Sequence, residues 1–321
     1  MIVALSISIY GSALGLLNDN SIYDIVAGAM HFLLGPLVYY YFRTSELEHV
    51  SEYFFERLCY ITLLSYSIVI LAMYVLPKLL GINIYLGLAS QVLIFSFFYY
   101  LAKNKLLLSA MTLGVIFLSG KRGVFVALIF SSCVFLFPHF IRYYYKTLLK
   151  FLAISITAII VTISISPELV DKAVDKFSIG SDFSLETYSS GRVEELSSAV
   201  GAWTSNDGNI VLGTGFGFRY TFLYSDPNIP DVNNYKNVHF SYINPIISFG
   251  VILGPLYLLV VLLMFFSCLQ NKNENFRFLK WCAVSFLIYS AFVFNLYNEI
   301  LLWMILGMIM KSSSKFKDSK I

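Results

Sequence analysis

Four groups of side chains in this sequence are of types that do chemistry. They are the basic pair Lys121-Arg122, Arg192 with Glu194 and Glu195 behind it, Arg219 after a glycine run, and His239 followed by Ser241 and Tyr242. A lysine beside an arginine suits a phosphate or diphosphate, because a guanidinium grips two oxygens at once and an ammonium adds a point charge. The alternative for Lys121 and Arg122 is a pair of side chains snorkelling at a membrane boundary. Arg192 and Arg219 would enlarge one outer basic site, or else form surface ion pairs with Glu194, Glu195 or Asp226. Histidine is the residue type that titrates closest to neutral pH, so it can take a proton from a sugar hydroxyl. A buried histidine bonded to a backbone carbonyl is the plainer reading of His239.

The run Gly213-Thr214-Gly215-Phe216-Gly217 lacks the Lys-Ser/Thr that closes a phosphate-binding P-loop, and no ribose-binding acid follows a strand-turn-helix unit. Its glycines instead permit a tight backbone turn close to a helix or a lipid headgroup. Tyr188, Trp203, Tyr220, Tyr224, Tyr235 and Tyr242 accompany Asp226, Asn228, Asp231, Asn233, Asn234 and Asn237. Aromatic faces beside amides and carboxylates suit a carbohydrate, and an interfacial aromatic belt has the same composition. The histidines (His31, His49, His139, His239) are scattered without ligand spacing, so no metal and no cofactor is expected. Cys59, Cys133, Cys268 and Cys282 fall in or beside apolar runs and read as buried thiols.

The elements that must position these groups are membrane helices. Of 321 residues, 58% are hydrophobic and only 13% charged, with a mean hydropathy of +0.74; a soluble domain could not hide that much apolar surface. A net charge of +3 without a clustered basic face gives no reason to expect nucleic acid. Apolar segments run approximately over 2–17, 22–42, 58–76, 82–101, 106–118, 123–137, 148–165, 242–266, 278–294 and 296–310, which predicts an all-α bundle of about ten transmembrane helices. The first segment has no basic residues before it and no small-residue cleavage signature, so it reads as a helix and not as a cleaved signal. The whole chain, 1–321, is expected to be one membrane domain.

Cytoplasmic loops retain Lys and Arg. Placing Lys311, Lys315, Lys317 and Lys320 inside also puts Arg43, Arg57, Lys103, Lys105, Arg142, Lys146, Lys150, Lys272, Arg277 and Lys280 inside. Only Lys78, Lys121 and Arg122 are left in short outer loops. Both termini are thus predicted cytoplasmic, and the acidic-rich loop 166–238 lies outside. Pro167 starts a helix in that loop. A second helix is expected from Arg192 to Trp203, with Val193, Leu196, Val200 and Trp203 on one face and Glu194 and Glu195 in its first turn. Asn206-Asp207-Gly208 is expected to end it with a turn, and 220–238 reads as irregular loop.

The order of features is itself informative: Ser119-Gly120-Lys121-Arg122-Gly123 between two helices, then Ser190-Gly191-Arg192 with Trp203, then Leu212 to Gly217, then Val238-His239-Phe240-Ser241-Tyr242 and Gly250. This order resembles the O-antigen polymerase and O-antigen ligase superfamily of bacterial envelope glycan synthesis, most densely from Arg192 to Gly254. One departure is Phe240, where the family commonly has Asn, Ser or Gln; Ser241 would supply the missing polar contact. The chain is also short for the family.

The resemblance implies a metal-independent glycosyltransferase in the bacterial cytoplasmic membrane. Its donor and acceptor would be polyprenyl-diphosphate-linked glycans, and its partners membrane lipids, a flippase and chain-length regulators. In that scheme Arg192 and Arg122, helped by Lys121 and Arg219, neutralise the departing diphosphate. His239 orients or deprotonates the acceptor hydroxyl, and Glu194, Glu195 and Glu299 are reserve bases. A ligase acting on lipid A core is the alternative, disfavoured by Phe240. A transporter or flippase is the alternative of another class; it usually places charges and broken helices at the midplane in two repeated halves.

Overall fold

The computed structural model describes residues 1–45, 52–80, 91–119, 121–139, 192–205, 207–223, 232–236, 238–270, 277–291 and 299–318. The expected span at 148–165, the loop helix from Pro167, and Tyr188, Tyr224, Asp226, Asn228, Asp231 and Asn237 lie outside these residues. The described chain is mostly helical, as its composition predicts. It divides into two compact units, one made of Met1–Ser45, Ile179–Lys272 and Ser290–Ile321, the other of Glu46–Ser178 and Asn273–Tyr289.

The first unit opens with α1 (Ile2–Leu17) and α2 (Ile22–Thr44). The segment between the apolar helices follows as α7 (Arg192–Thr204), α8 (Asp207–Leu212), β1 (Tyr220–Phe222) and β2 (Val232–Tyr235). It closes with α9 (Asn244–Leu269) and α11 (Ile300–Asp318). Pro245 sits at the start of α9, where its missing N–H costs nothing. α2 packs on α1 and α11, and α9 on α11. Gly307 of α11 is the close-approach point with α2, since a Cβ there would lie 2.7 Å from the Tyr39 carbonyl oxygen.

The second unit contains α3 (Glu52–Leu80), α4 (Val92–Ala102), α5 (Leu106–Leu118), α6 (Arg122–His139) and α10 (Arg277–Tyr289). α4 is apolar on every side and buried from Leu93 to Tyr100, the pattern of a central helix. α3, α5 and α10 pack around it. Phe95 and Tyr99 meet Phe278 edge-on at ring-centroid distances of 5.6 Å and 5.5 Å. Ser131 of α6 and Ser285 of α10 hydrogen-bond across the buried α6–α10 contact. Cys59 and Cys282 are buried in this unit, and Cys268 in the first.

Among the described residues two helices, Ile22–Thr44 and Asn244–Leu269, are long and apolar enough to cross a membrane by length and composition, with shorter apolar helices beside them. Only 17% and 33% of the residues in their most apolar windows are buried. Most residues in those windows thus fall short of full burial.

Three local expectations are corrected. Residues 220–238 are not irregular throughout: β1 and β2 form an antiparallel pair with Tyr220 opposite Tyr235. A three-residue strand carries too little alternation to be read from sequence, and it forms because Tyr220 and Phe222 pack under α7. Asp207-Gly208 begins α8 instead of making a simple turn, an acidic residue favouring a helix start. Finally, the inward face of α7 is shifted: Trp203 is buried and Leu196 and Val200 pack against the core as expected, whereas Val193 is exposed and Glu195 and Ala199 are buried. The apolar stripe alone points to Val193. The actual rotation is set by polar partners that make burial of Glu195 tolerable.

Candidate functional site

Glu195 is the centre of a polar cluster in the first unit. It sits one turn into α7, only 2% exposed. A carboxylate taken out of water must be matched by donors or it neutralises. Here His239 donates twice: its backbone N–H lies 3.2 Å from Oε1, and ring Nδ1 is 2.7 Å from Oε1 and 2.9 Å from Oε2. Arg192, one helical turn earlier, places a guanidinium N–H 3.3 Å from Oε2. The Tyr220 phenol also faces this carboxylate. Burial first, and then the Glu195 charge beside it, push the Tyr220 hydroxyl well above its ordinary pKa, so it remains a proton donor.

With this carboxylate already accepting from the His239 backbone N–H and from Arg192, the Nδ1 facing it acts as a donor. The position of the ring is fixed from both sides. The Asn244 amide, in the first turn of α9, accepts from the Val238 N–H at 3.1 Å and donates to the Val238 carbonyl at 2.9 Å. The Ser241 N–H donates to the Ser290 carbonyl at 3.2 Å. Ser241 is buried, whereas Phe240 is partly exposed and its ring meets that of half-buried Tyr242 at 5.6 Å. Beneath lies a small core of Ala199, Trp203, Tyr220, Phe222, Val238 and Ile247. The Trp203 indole N–H donates to the Asn209 carbonyl at 2.8 Å, joining α7 to α8. Glu194, beside Glu195, is only partly buried, because neighbours on a helix point about 100° apart.

A second polar centre lies at the start of α2. Asp24, its side chain 3% exposed, accepts the Arg219 Nε–H at 2.7 Å, a further bond from the same guanidinium, and the Lys236 ammonium at 2.6 Å. Lys236 also lies 5.8 Å from the centre of the Tyr23 ring. Arg219, expected to bind a diphosphate, is thus held on Asp24, a partner the sequence analysis did not name. Lys236 was missed as well. The available signal was a lone carboxylate in the first turn of an apolar helix, where an unpaired charge is expensive.

The glycine run links the two centres within this unit. Gly213, Gly215 and Gly217 take positive φ of 93°, 73° and 85°. Gly250, at φ 75°, kinks α9, and the interrupted ladder frees carbonyls. The Thr214 and Gly215 N–H groups take up those of Ile247 and Ser248 at 2.9 Å and 3.0 Å, and Phe216 N–H donates to Gly11 of α1 at 2.9 Å. A Cβ on Gly215 would fall 2.1 Å from the Gly15 nitrogen. The Asn20 amide donates to the Thr214 and Phe216 carbonyls at 3.0 Å and 2.9 Å. The run is therefore a backbone splice between α1 and α9.

Lys121 and Arg122 belong to the second unit, where Arg122 opens α6. Glu299 is buried just before α11. Among the described residues no group of three or more His, Cys, Asp or Glu could hold a metal ion. Comparison with family models, with curated proteins and with solved structures finds no match for this chain.

Proposed function

We propose that this chain is a multi-pass protein of the bacterial cytoplasmic membrane that polymerises polyprenyl-diphosphate-linked oligosaccharide units on the outer face. The reading takes about ten spans, both termini inside and the 166–238 loop outside, as the hydropathy and charge bias suggest. The outward apolar surface of α9 supports it: Val251, Ile252, Leu256, Leu259, Leu263 and Phe266 are all exposed.

The observation that carries the transferase reading is the buried Glu195 carboxylate shared by His239 and Arg192. A histidine with Nδ1–H held by a carboxylate presents Nε2 as a base and is stabilised once protonated. In the proposed step an acceptor hydroxyl oxygen attacks the anomeric carbon, and its proton passes to Nε2 of His239. The bond from that carbon to the diphosphate oxygen breaks, and the diphosphate leaves with the electron pair. Arg192, its side chain 44% exposed, has guanidinium surface left to meet that charge. Arg122 is a separate candidate for the diphosphate, tested by its own variant.

Arg192→Ala, His239→Ala and Arg122→Ala are made singly, and glycan length is read on gels with membrane levels checked. Loss of long polymer at normal protein level is expected for each. Full-length ladders from all three would overturn the mechanism.

A further inference from the structure

The second unit holds a pocket that the transferase reading does not use. Its volume is about 290 Å³, and it is lined by Tyr53, Glu56, Arg57, Tyr60, Tyr100 and Leu108. It lies at the end of the unit where α3 begins and α4 turns into α5, because Lys105, capping α5, pairs with Glu56 in the second turn of α3. That pair is internally neutral. Arg57 remains as surplus positive charge, its guanidinium carbon 4.4 Å from the centre of the Tyr53 ring and, among the described residues, without a carboxylate partner. Tyr100, fully buried, lines the pocket, and its hydroxyl has no hydrogen-bond partner among the described residues. An orphaned buried hydroxyl is costly, so a ligand oxygen that pairs with it gains affinity from that deficit.

Tyr53 and Tyr60 of the lining are exposed, and Leu58, Ile61 and Leu107, the chain neighbours of lining residues, are exposed apolar side chains. Tyrosines and an arginine at a helix end above an apolar surface are the composition of a membrane interface. The volume is at the lower end of ligand pockets, enough for a headgroup and too small for an oligosaccharide.

We propose that this pocket binds the phosphodiester headgroup of an acidic phospholipid in the cytoplasmic leaflet. Arg57 meets the phosphate, Tyr100 donates to one of its oxygens, and Leu108 with the tyrosine rings covers the glycerol. Lipid, and not free phosphate, is the source, because the lining tyrosines and the neighbouring Leu58, Ile61 and Leu107 leave apolar surface exposed. The proposal borrows only the membrane placement from the functional reading, and lipid retention is measured separately from glycan length, so either can fail alone.

The full chain, purified in detergent and delipidated, is titrated with phosphatidylglycerol, phosphatidylcholine and inorganic phosphate and followed by native mass spectrometry. Phosphatidylglycerol is expected to be retained over phosphatidylcholine, and Arg57→Gln to lower that preference about fivefold, the effect of one basic side chain at an anionic surface. Tyr100→Phe is the conservative control for folding. It is expected to weaken phosphatidylglycerol retention while raising the melting temperature of the lipid-free protein, since it deletes an unpaired hydroxyl. Equal retention of the two lipids by the wild type, unchanged retention in both variants, or saturation by inorganic phosphate that excludes phosphatidylglycerol would each overturn the proposal.

Discussion

Two buried carboxylates in the first unit, Glu195 and Asp24, solve one electrostatic problem in opposite ways. Asp24 is matched by a guanidinium and an ammonium, Arg219 and Lys236, and the result is a clamp from the β1–β2 segment onto α2. Glu195 is matched by one guanidinium, a phenol and an imidazole. A carboxylate balanced by permanent charges has nothing left to do but hold. A carboxylate that steadies an imidazole holds a group whose chemistry differs from that of a permanent cation. Burial alone does not distinguish a structural acid from a functional one; the partners do.

The contrast is broken most severely by Glu195→Gln, which keeps the shape and removes the charge. Polymerising activity per folded molecule is expected to fall on the order of 10²-fold or more, the size of general-base effects, with the protein still in the membrane. If steady-state assays of purified protein show the Glu195→Gln variant to be as active as wild type, the two centres are not different in kind. Gly215→Ala tests the splice that joins them. With no room for a Cβ beside Gly15, the left-handed turn cannot form, and loss of folded protein in membrane fractions is expected before any specific activity can be measured.

Asp24→Asn should do the reverse of Glu195→Gln. It leaves Arg219 and Lys236 without their counter-charge, lowers stability by about 1–3 kcal/mol, as losing hydrogen bonds to a charged group does, and keeps turnover per folded molecule within about twofold of wild type. Thermal unfolding in detergent beside an activity assay separates the two. The smallest effect belongs to Lys236→Gln. Its side chain is 46% exposed, so solvent screening limits the expected loss to about 0.2–1 kcal/mol, and raising the salt concentration should shrink it further.

Much of this protein is determined by the sequence taken alone. Long apolar runs commit the chain to helices whatever their neighbours, and the observed α1 and α5 coincide with the runs at 2–17 and 106–118. The glycine run could be recognised as a close-packed turn because glycine alone accepts positive φ freely. The candidates Arg192 and His239 were visible as polar exceptions in an apolar chain. Tertiary structure decided which of two adjacent glutamates turns inward, since helical periodicity offers both and only the facing histidine selects one. It also decided that Arg219 and Lys236 meet an aspartate 195 and 212 residues away, and that Tyr53, Arg57 and Tyr100 surround one pocket. Periodicity is a local property that a sequence carries along its length, whereas charge pairing and cavities belong to residues that become neighbours only after the chain has folded.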